Sequence, residues 1–467
     1  MKYLTADFGS TYTKLTAIDA DEGTILATAG AFTTIESNVM NGFFAALEKL
    51  EEQIGTFHYD EMLCCSSAAG GLKMVALGLV PELTAKAAKM AASSAGAKVV
   101  KTYSFEISQQ EQEEIYQIQP DLILLCGGTN GGNKEVIIAN AKRLCEIKRD
   151  FSVIVAGNKS ASHELDKIFA ASDKDYVITE NVMPEFNKLN IEPAKQKIKE
   201  LFISKIIDAK GLSDIQKMSR HTIIPTPLAV LNGCELLSKG TKKQPGWGDL
   251  MAVDIGGATT DVYSMSDGVP TIENVMVKGL PEPYSKRTVE GDLGMRYSLT
   301  FLADEVDNEL LATELGVDKK AVSDWVKTCS SKPETLAGTS TKEQEIEEGL
   351  ARNAIKIAVQ RHCGIFQPAY TPWGQIFTLT GKDLSNISHI IGIGGVIINS
   401  RRPQYILEGA KADATNYKHA KPKNPNYMLD KKYIFAAMGL LSSVNPELAF
   451  TMMKKEIKEI KIDEVKK

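Results

Sequence analysis

The sequence predicts an α/β fold with two large lobes. Apolar runs of strand length alternate with amphipathic runs at helical spacing over most of the chain. Two distant segments share one pattern: an apolar strand, an acidic residue at its end, a turn rich in Gly, Ser and Thr, and a second apolar strand. A length of 467 residues is sufficient for two lobes with separate cores. A loop that contains Gly240, Pro245 and Gly248 places the predicted boundary between residues 1–245 and residues 246–467.

The two similar segments are the first candidates for a functional site. They are Asp7-Phe8-Gly9-Ser10-Thr11-Tyr12-Thr13-Lys14 and Asp254-Ile255-Gly256-Gly257-Ala258-Thr259-Thr260-Asp261. Either one alone is explained by ordinary turn chemistry, but Asp, Gly and Thr recur at matched offsets. Such a turn can direct successive backbone N–H groups at an anion, and the acidic residue can hold a hydrated Mg²⁺. Two such hairpins that faced each other would clamp a nucleoside triphosphate, so the pattern predicts an ATPase.

Composition and charge exclude several classes of protein. Hydrophobic residues make up 43% of the chain and charged residues 24%, which is typical of a folded globular protein. The net charge of −5 and the scattered basic residues argue against a nucleic-acid surface. No apolar stretch approaches the length of a membrane span and no signal peptide precedes the first strand. We therefore expect a soluble cytoplasmic protein. The seven cysteines lack disulfide-framework or zinc-site spacing, so reduced, mostly buried thiols are expected.

In the first half of the chain, further strands and helices follow the first hairpin. Asn38 is a predicted N-cap, and Val39, Phe43, Leu47 and Leu50 follow it at helical spacing. The expected strands span residues 24–29, 62–66, 97–103, 121–126 and 152–156, and the expected further helices span residues 82–95 and 133–146.

A glycine-rich loop, residues 127–132, follows the continuously apolar strand 121–126. It resembles a P-loop, but Asn133 stands where the motif requires Lys, and Lys134 comes one place late. A tight turn is therefore the favoured interpretation, and contact with a ligand or partner remains the alternative.

The second half continues the same alternation. A helix opened by proline spans residues 226–237 and precedes the second hairpin. Residues 299–363 are mostly helical, a strand at 387–391 leads to Gly394 and Gly395, and a late helix spans residues 430–441. The small residues of that late helix favour close helix–helix contact. The alternating charges of residues 454–467 predict a solvated helix end.

Taken in order, these features resemble the actin-like ATPase superfamily of sugar kinases, Hsp70 chaperones and actin. The resemblance implies a two-lobed fold of duplicated ribonuclease-H-like domains with inserted subdomains. It also implies that the two hairpins bind phosphates, that the glycine pair contacts the adenosine, and that helices 226–235 and 430–441 connect the lobes.

The resemblance is sharper to one family within it, the glutamate mutase accessory proteins. It extends over nearly the whole chain and includes the motif Glu290-Gly291-Asp292-Leu293-Gly294. The other matching segments are residues 66–72, 126–135, 156–159, 181–184, 225–230 and 253–261. Members of this family accompany adenosylcobalamin-dependent mutases and aminomutases, and the resemblance implies an ATP-driven, chaperone-like reactivating factor. The expected partners are mutase or aminomutase subunits and a nucleotide, and a homodimer is left open.

The resemblance assigns roles to individual residues, with ATP and Mg²⁺ as cofactors. Asp7 and Asp254 would hold Mg²⁺, Asp254 would also position the attacking water, and Asp261 would be a further acidic group near the metal. The implied nucleotide-binding positions are Gly9, Ser10, Thr11, Tyr12, Gly256, Gly257, Ala258, Thr259, Gly394 and Gly395. The chain departs from the superfamily at residues 224–226, Ile-Pro-Thr, where other members place an acid or amide near the water. Slow hydrolysis is therefore expected.

Three other functions fit the same fold class. They are a small-molecule kinase, a filament-forming actin relative, and an activator of a 2-hydroxyacyl-CoA dehydratase, for which Cys126 would be the candidate iron–sulfur ligand. None of the six histidines forms the D-x-H-x-x-G motif that provides the cobalt ligand in mutases. The resemblance therefore implies that a corrinoid's histidine ligand belongs to the partner.

Overall fold

The computed structural model describes residues 1–9, 12–33, 38–67, 73–207, 212–338, 340–372, 374–413 and 418–460. The chain divides into two compact units, which are described separately below. Unit 1 comprises Met1–Ala229 and Gly279–Pro281, and unit 2 comprises Val230–Lys278 and Glu282–Lys467.

Unit 1 alternates strands with helices. Its strands are β1 (Lys2–Phe8), β2 (Tyr12–Asp19), β3 (Thr24–Phe32), β4 (Glu61–Ser66), β5 (Lys73–Gly78), β6 (Lys98–Ser104), β7 (Leu122–Leu125), β8 (Ser152–Val155), β9 (Tyr176–Ile178) and β10 (Ile224–Pro225). The helices from this part of the chain are α1 (Val39–Ile54), α2 (Lys86–Ser94), α3 (Gln109–Ile118), α4 (Glu135–Glu146), α5 (Ser162–Ala170), α6 (Glu192–Ile207), α7 (Leu212–Met218) and α8 (Thr226–Lys239). The division between the units falls inside α8, between Ala229 and Val230.

The first sheet of unit 1 has the strand order β3-β2-β1-β4-β10. β1 pairs antiparallel with β2 and parallel with β4. The Asn38 side chain accepts a hydrogen bond from the Met40 N–H and begins α1, as the sequence predicts. Phe43 and Leu50 of α1 are fully buried in the cluster that covers this sheet.

A second, all-parallel sheet of unit 1 has the order β6-β5-β7-β8-β9. Alternate residues of β7 enter two different cores: Leu122 and Leu124 join one buried cluster, and Ile123 and Leu125 join the other. Both faces of the sheet are therefore covered by helices, which explains why the predicted strand is continuously apolar.

Unit 2 contains the remaining elements. Its strands are β11 (Leu250–Ile255), β12 (Thr260–Met265), β13 (Val275–Lys278), β14 (Ser285–Glu290), β15 (Ile365–Thr371), β16 (Gly374–Thr380), β17 (His389–Ile393), β18 (Asn426–Leu429) and β19 (Lys458–Glu459). Its helices are α9 (Leu299–Glu305), α10 (Asn308–Leu315), α11 (Lys319–Ser331), α12 (Thr341–His362), α13 (Gly395–Ile398), α14 (Pro403–Leu407), α15 (Phe435–Leu441) and α16 (Pro446–Glu456). A small sheet of order β13-β16-β15 accompanies the main sheet.

The main sheet of unit 2 repeats the first sheet of unit 1. Its order is β14-β12-β11-β17-β18-β19. β11 pairs antiparallel with β12 and parallel with β17, as β1 does with β2 and β4. β14 and β18 then continue the two sides as β3 and β10 do. The predicted α/β fold class, with duplicated ribonuclease-H-like domains, is therefore confirmed.

The predicted helix at residues 430–441 begins later than expected. α15 starts at Phe435, because the buried Asp430 carboxylate accepts hydrogen bonds from the backbone N–H groups of Ile434 and Phe435. Asp430 therefore lies before the helix, and its side chain satisfies N–H groups that have no partner in a first turn.

The predicted solvated helix end at residues 454–467 is correct for residues 454–456, where Lys454 and Lys455 are exposed in the last turn of α16, and wrong for residues 457–460. α16 ends at Glu456, Ile457 is buried, and β19 pairs antiparallel with β18. The burial of Ile457 and the pairing of β19 with β18 therefore determine the structure of residues 457–460 more than the alternating charges do. Residues 461–467 lie outside the described residues.

Candidate functional site

The turn between β1 and β2 has the closed geometry that its sequence predicts. The Gly9 N–H donates to the Tyr12 carbonyl oxygen over 3.1 Å. A Cβ at Gly9 would lie 2.6 Å from that oxygen, so only glycine fits this turn. Asp7, near the end of β1, is half-buried. Ser10 and Thr11, two of the predicted phosphate donors, lie outside the described residues.

Two side chains hold the Asp7 carboxylate. The Thr226 hydroxyl donates to Asp7 Oδ1 over 2.6 Å, and Cys65 Sγ lies 3.4 Å from the same oxygen. β4 lies between β1 and β10, so it brings Cys65 and the residue after β10 next to the end of β1. Burial raises the pKa of the Cys65 thiol well above its usual value, so the thiol remains a neutral donor.

The turn between β11 and β12 repeats the first one. The Gly256 N–H donates to the Thr259 carbonyl oxygen over 2.9 Å, the same offset from Asp254 as Gly9 has from Asp7. The paired residues also correspond, because Asp7 is opposite Lys14 and Asp254 is opposite Asp261. The matched offsets in the sequence therefore mark one closing hydrogen bond that both turns share.

The carbonyl oxygens of this second turn are held by residues 295–298. The Gly256 oxygen accepts from the Met295 N–H over 3.1 Å, and the Gly257 oxygen accepts from the N–H groups of Arg296 and Tyr297, each over 2.8 Å. The Ser298 hydroxyl donates to the Ala258 oxygen over 2.8 Å. The segment therefore fixes the conformation of the turn.

Gly294, the last residue of the motif at residues 290–294, also packs against this turn. A Cβ at Gly294 would collide with the backbone of Ala258. Gly294 of this motif, which is one of the segments that resemble the family, therefore packs directly on the second turn.

Gly394 lies against Asp254 in unit 2. β17 runs parallel to β11, with Ile393 opposite Asp254. Gly394 has φ 96°, and a Cβ there would lie 2.9 Å from Asp254 Oδ1 and would collide with the Ile255 carbonyl oxygen. Only glycine suits this position. The structure therefore brings together the predicted residues Asp254, Gly256 and Gly394, whereas Asp7 and Gly9 belong to unit 1.

Gly395, the second glycine of the predicted adenosine turn, faces a tyrosine. A Cβ at Gly395 would lie 2.7 Å from the Tyr433 hydroxyl. Tyr433 itself has φ 55°, a conformation that side chains other than glycine, asparagine and aspartate rarely adopt. Both residues follow strands of the parallel half of the sheet, which places them at the same edge as Asp254.

Asp261, the third predicted carboxylate, is engaged by a buried arginine. Arg287 Nε donates to Asp261 Oδ1 over 2.8 Å, and a second guanidinium nitrogen lies 2.6 Å from that oxygen. The Thr259 hydroxyl donates to Asp261 Oδ2 over 3.2 Å. Asp261 and Arg287 are only 8% and 5% exposed, so their charges neutralise each other away from water.

Several contacts to the predicted site residues were not foreseen from the sequence, among them those of Thr226, Arg287 and Tyr433. A signal existed for Arg287, because an aspartate inside an apolar strand requires a buried partner. Thr226 lies in the segment 224–226, which lacks the superfamily's acid or amide and carries a hydroxyl donor instead. No sequence signal marks Tyr433.

Comparison with known proteins gives a consistent family. A family model described as "MutL protein" matches residues 3–457. The chain belongs to the MutL family. A curated relative, "Protein MutL" of Clostridium tetanomorphum, is 47% identical to it over 465 residues, which cover 98% of this chain and 99% of the relative. The predicted membership is thereby confirmed.

Solved structures resemble this MutL-family chain only distantly. A nucleotide-free acetone carboxylase is 14% identical, with a TM-score of 0.38 and coverage of 94% of this chain and 70% of that one. The activator of the 2-hydroxyisocaproyl-CoA dehydratase from Clostridium difficile is 11% identical, with a TM-score of 0.31 and coverage of 99% and 100%. A glycerol dehydratase reactivase is 9% identical, with a TM-score of 0.34 and coverage of 95% and 99%. These TM-scores are below 0.5, and we draw no conclusion from them.

Membrane-spanning helices and clusters of metal-ligating side chains are both absent from the described part of the MutL-family chain. No helix in it is long and apolar enough to cross a membrane. No group of three or more His, Cys, Asp or Glu side chains there could hold a metal ion.

Proposed function

We propose that the chain is an ATP-dependent accessory factor that reactivates an adenosylcobalamin-dependent mutase or aminomutase. One observation carries the ATP-binding part of this proposal. The acidic hairpin turn occurs twice, in two sheets of the same order, with the same closing hydrogen bond. Membership of the MutL family supports the accessory role.

The residues present fit Mg²⁺ and a triphosphate. Mg²⁺ prefers oxygen ligands and keeps several waters, so one carboxylate from Asp7 or Asp254 is an adequate protein contribution. A Cβ at Gly9 or Gly394 would clash with protein atoms, so the tight turns that we assign to phosphate and nucleoside groups depend on these glycines. When bound, the metal neutralises phosphate charge during transfer. The proposed nucleotide positions are Gly9, Ser10, Thr11, Tyr12, Gly256, Gly257, Ala258, Thr259, Gly394 and Gly395.

The proposed chemistry of the chain's own residues is mainly positioning. Asp254 orients the attacking water, and turn N–H groups stabilise charge that develops on the phosphate oxygens. Asp261, paired with Arg287, holds Thr259 and thereby the second turn, and it contributes to the site through that turn. The apolar Ile224 precedes α8 where a general base is found in other members of the superfamily, so we expect turnover to be slow.

The partner-binding role rests on segments outside the two turns. Within the family-like segment 126–135, the residues Gly131–Glu135 are exposed. Two buried asparagines support this loop, because Asn158 donates to the carbonyl oxygens of Gly132 and Asn133, and Asn181 donates to that of Gly128. A rigid exposed loop is a suitable contact for a protein partner. In the other family-like segment, residues 68–72 lie outside the described residues.

The role of dehydratase activator is less well supported. Cys126 is 1% exposed, and burial raises the pKa of its thiol well above the usual range. A cluster ligand must be an accessible thiolate, which these surroundings disfavour.

A reactivation assay tests the proposal. A mutase inactivated by turnover or by hydroxocobalamin is mixed with the full chain, Mg²⁺, fresh adenosylcobalamin, and either ATP or a non-hydrolysable analogue. We expect mutase activity to recover with ATP and not with the analogue. Absence of recovery with every cognate adenosylcobalamin mutase, despite normal ATP hydrolysis, would contradict the accessory role.

A further inference from the structure

The residue that begins α8 contacts the carboxylate that we assign to the metal. The Thr226 hydroxyl lies 2.6 Å from Asp7 Oδ1, which is short for a neutral donor and is typical of a hydrogen bond to a carboxylate. The Cys65 thiol lies 3.4 Å from the same oxygen and is the weaker donor. Both contacts are on Oδ1, so they fix the rotation of the carboxylate and direct Oδ2 elsewhere.

The backbone around Thr226 is unusually constrained. Pro225 precedes it, is buried, and pairs with Ser66 in the parallel ladder of β10 and β4. Pro227 follows it in the first turn of α8. Each proline has a fixed φ, and the branched Cβ of threonine restricts χ1. The hydrogen bond of 2.6 Å to Asp7 Oδ1 therefore sets the direction of the Thr226 hydroxyl, on a backbone segment that the two prolines restrict.

We propose that Thr226 is a positioning residue, which holds Asp7 in the orientation that binds the water shell of Mg²⁺. This inference rests on the proposed ATP-binding function. An acid at position 226 would repel the Asp7 carboxylate, whereas the Thr226 hydroxyl donates a hydrogen bond to it. The segment that lacks the superfamily's acid or amide thus has a different role, in support of the metal ligand.

Substitution of Thr226 in the full chain tests this inference. Thr226→Val keeps the shape of the side chain and removes the donor, and Thr226→Ser keeps the donor. Mg²⁺-dependent binding of ADP or ATP is measured by calorimetry, and thermal unfolding is followed in parallel. We expect Thr226→Val to raise the half-saturating Mg²⁺ concentration about tenfold, the scale of losing a group that orients a metal ligand. Thr226→Ser should stay within about twofold of the parent.

Thr5→Val is a matched control on the same strand as Asp7. Thr5 is buried, and its hydroxyl makes one long hydrogen bond of 3.5 Å to the Thr16 carbonyl oxygen. The Thr5→Val variant should leave the Mg²⁺ dependence of nucleotide binding unchanged. If Thr226→Val fails to fold, Thr226→Ala is measured instead, because it removes the same hydroxyl donor in a smaller side chain.

The outcomes separate this inference from the proposed function. A parent chain that binds nucleotide, together with a Thr226→Val or Thr226→Ala variant of unchanged Mg²⁺ dependence, would overturn the inference alone. A serine variant that behaves like the valine variant would also overturn it. A parent chain that binds no nucleotide with Mg²⁺ would overturn both.

Discussion

At the residue scale, each unit has an aspartate on the strand that leads into its turn. Asp7 and Asp254 are half-buried, and Gly9 and Gly394 keep the adjacent backbone free of side chains. The proposed function requires that an anion–metal pair approach the backbone at these aspartates and glycines.

Removal of either charge should reduce ATP turnover. We expect Asp7→Asn and Asp254→Asn each to lower the rate of ATP hydrolysis at least about tenfold, because an amide cannot attract the metal or polarise water as a carboxylate does. A coupled phosphate-release assay measures this rate. Asp324→Asn, on the exposed side of α11, is the control and should have the parental rate. Parental rates in both site variants would refute the assignment of the two turns.

The Asp261–Arg287 pair should behave as one unit. Arg287→Met leaves a buried aspartate without its cation, which costs about 3–5 kcal/mol of unfolding free energy. Asp261→Asn should also be destabilising. Because both substitutions remove the same contact, the double variant should lose clearly less than the sum of the two single losses. Urea unfolding followed by circular dichroism measures all three. Additive losses would show that the two side chains act independently.

Predictability at this scale depended on residue type. Asp7, Asp254 and Gly394 could be proposed from the sequence because the acidic turn recurs at matched offsets and a glycine pair follows a late strand, and their roles remain predictions. Thr226 and Tyr433 could not be proposed in this way, because threonines and tyrosines are common and their contacts come from distant strands.

At the element scale, α8 packs closely against α15 in unit 2. A Cβ at Gly233 would lie 3.0 Å from the Phe435 carbonyl oxygen and 3.6 Å from the Gly439 nitrogen. The small residues of α15 therefore serve the close helix contact that the sequence predicts.

A larger side chain at this contact should destabilise unit 2. We expect Gly233→Val to cost about 1–3 kcal/mol of unfolding free energy, because the backbone of α15 must move to admit it. Thermal unfolding measures the loss. Lys327→Val, at an exposed position of α11, controls for the helix propensity of valine and should cost less than about 1 kcal/mol. Equal losses of unfolding free energy in the two variants would show that the contact between α8 and α15 has space for a larger side chain.

The elements differ in how well the sequence predicted them. The two hairpins, α1 and β7 were predicted correctly, because an N-cap and uninterrupted apolar runs are local signals. β5 was not predicted: it follows a glycine pair, and its central place in the parallel sheet comes from pairing with β6 and β7. The predicted helix over residues 82–95 begins with a π-helical turn, Pro81–Ala85, where the Thr84 hydroxyl accepts from the N–H groups of Leu79 and Val80.

At the scale of the whole molecule, the duplication is more extensive than the sequence suggested. Only the two turns repeat visibly as residues, whereas the structure repeats a five-strand order with the same parallel and antiparallel pairs. Pairing order depends on backbone hydrogen bonds and burial, which many apolar sequences satisfy, so the repeat is visible in the sequence only at the turns. The domain boundary at residue 245 remains a prediction from the sequence. The two compact units of the structure divide within α8.

An ATP-driven accessory factor must bind its partner with different affinities in its two nucleotide states. A nucleotide that left the affinity unchanged could shift no equilibrium of the mutase. The duplicated turns would supply the nucleotide dependence, and the exposed Gly131–Glu135 segment would contribute to the contact with the mutase.

The most direct test is the dissociation constant of the full chain for glutamate mutase loaded with hydroxocobalamin. It is measured by calorimetry or sedimentation with Mg²⁺ and either a non-hydrolysable ATP analogue or ADP, and repeated with Asp7→Asn. The account predicts that the two constants differ by at least about tenfold, or about 1.4 kcal/mol, and that the difference disappears in the variant. Equal constants in the two nucleotide states, with nucleotide bound in both, would contradict it.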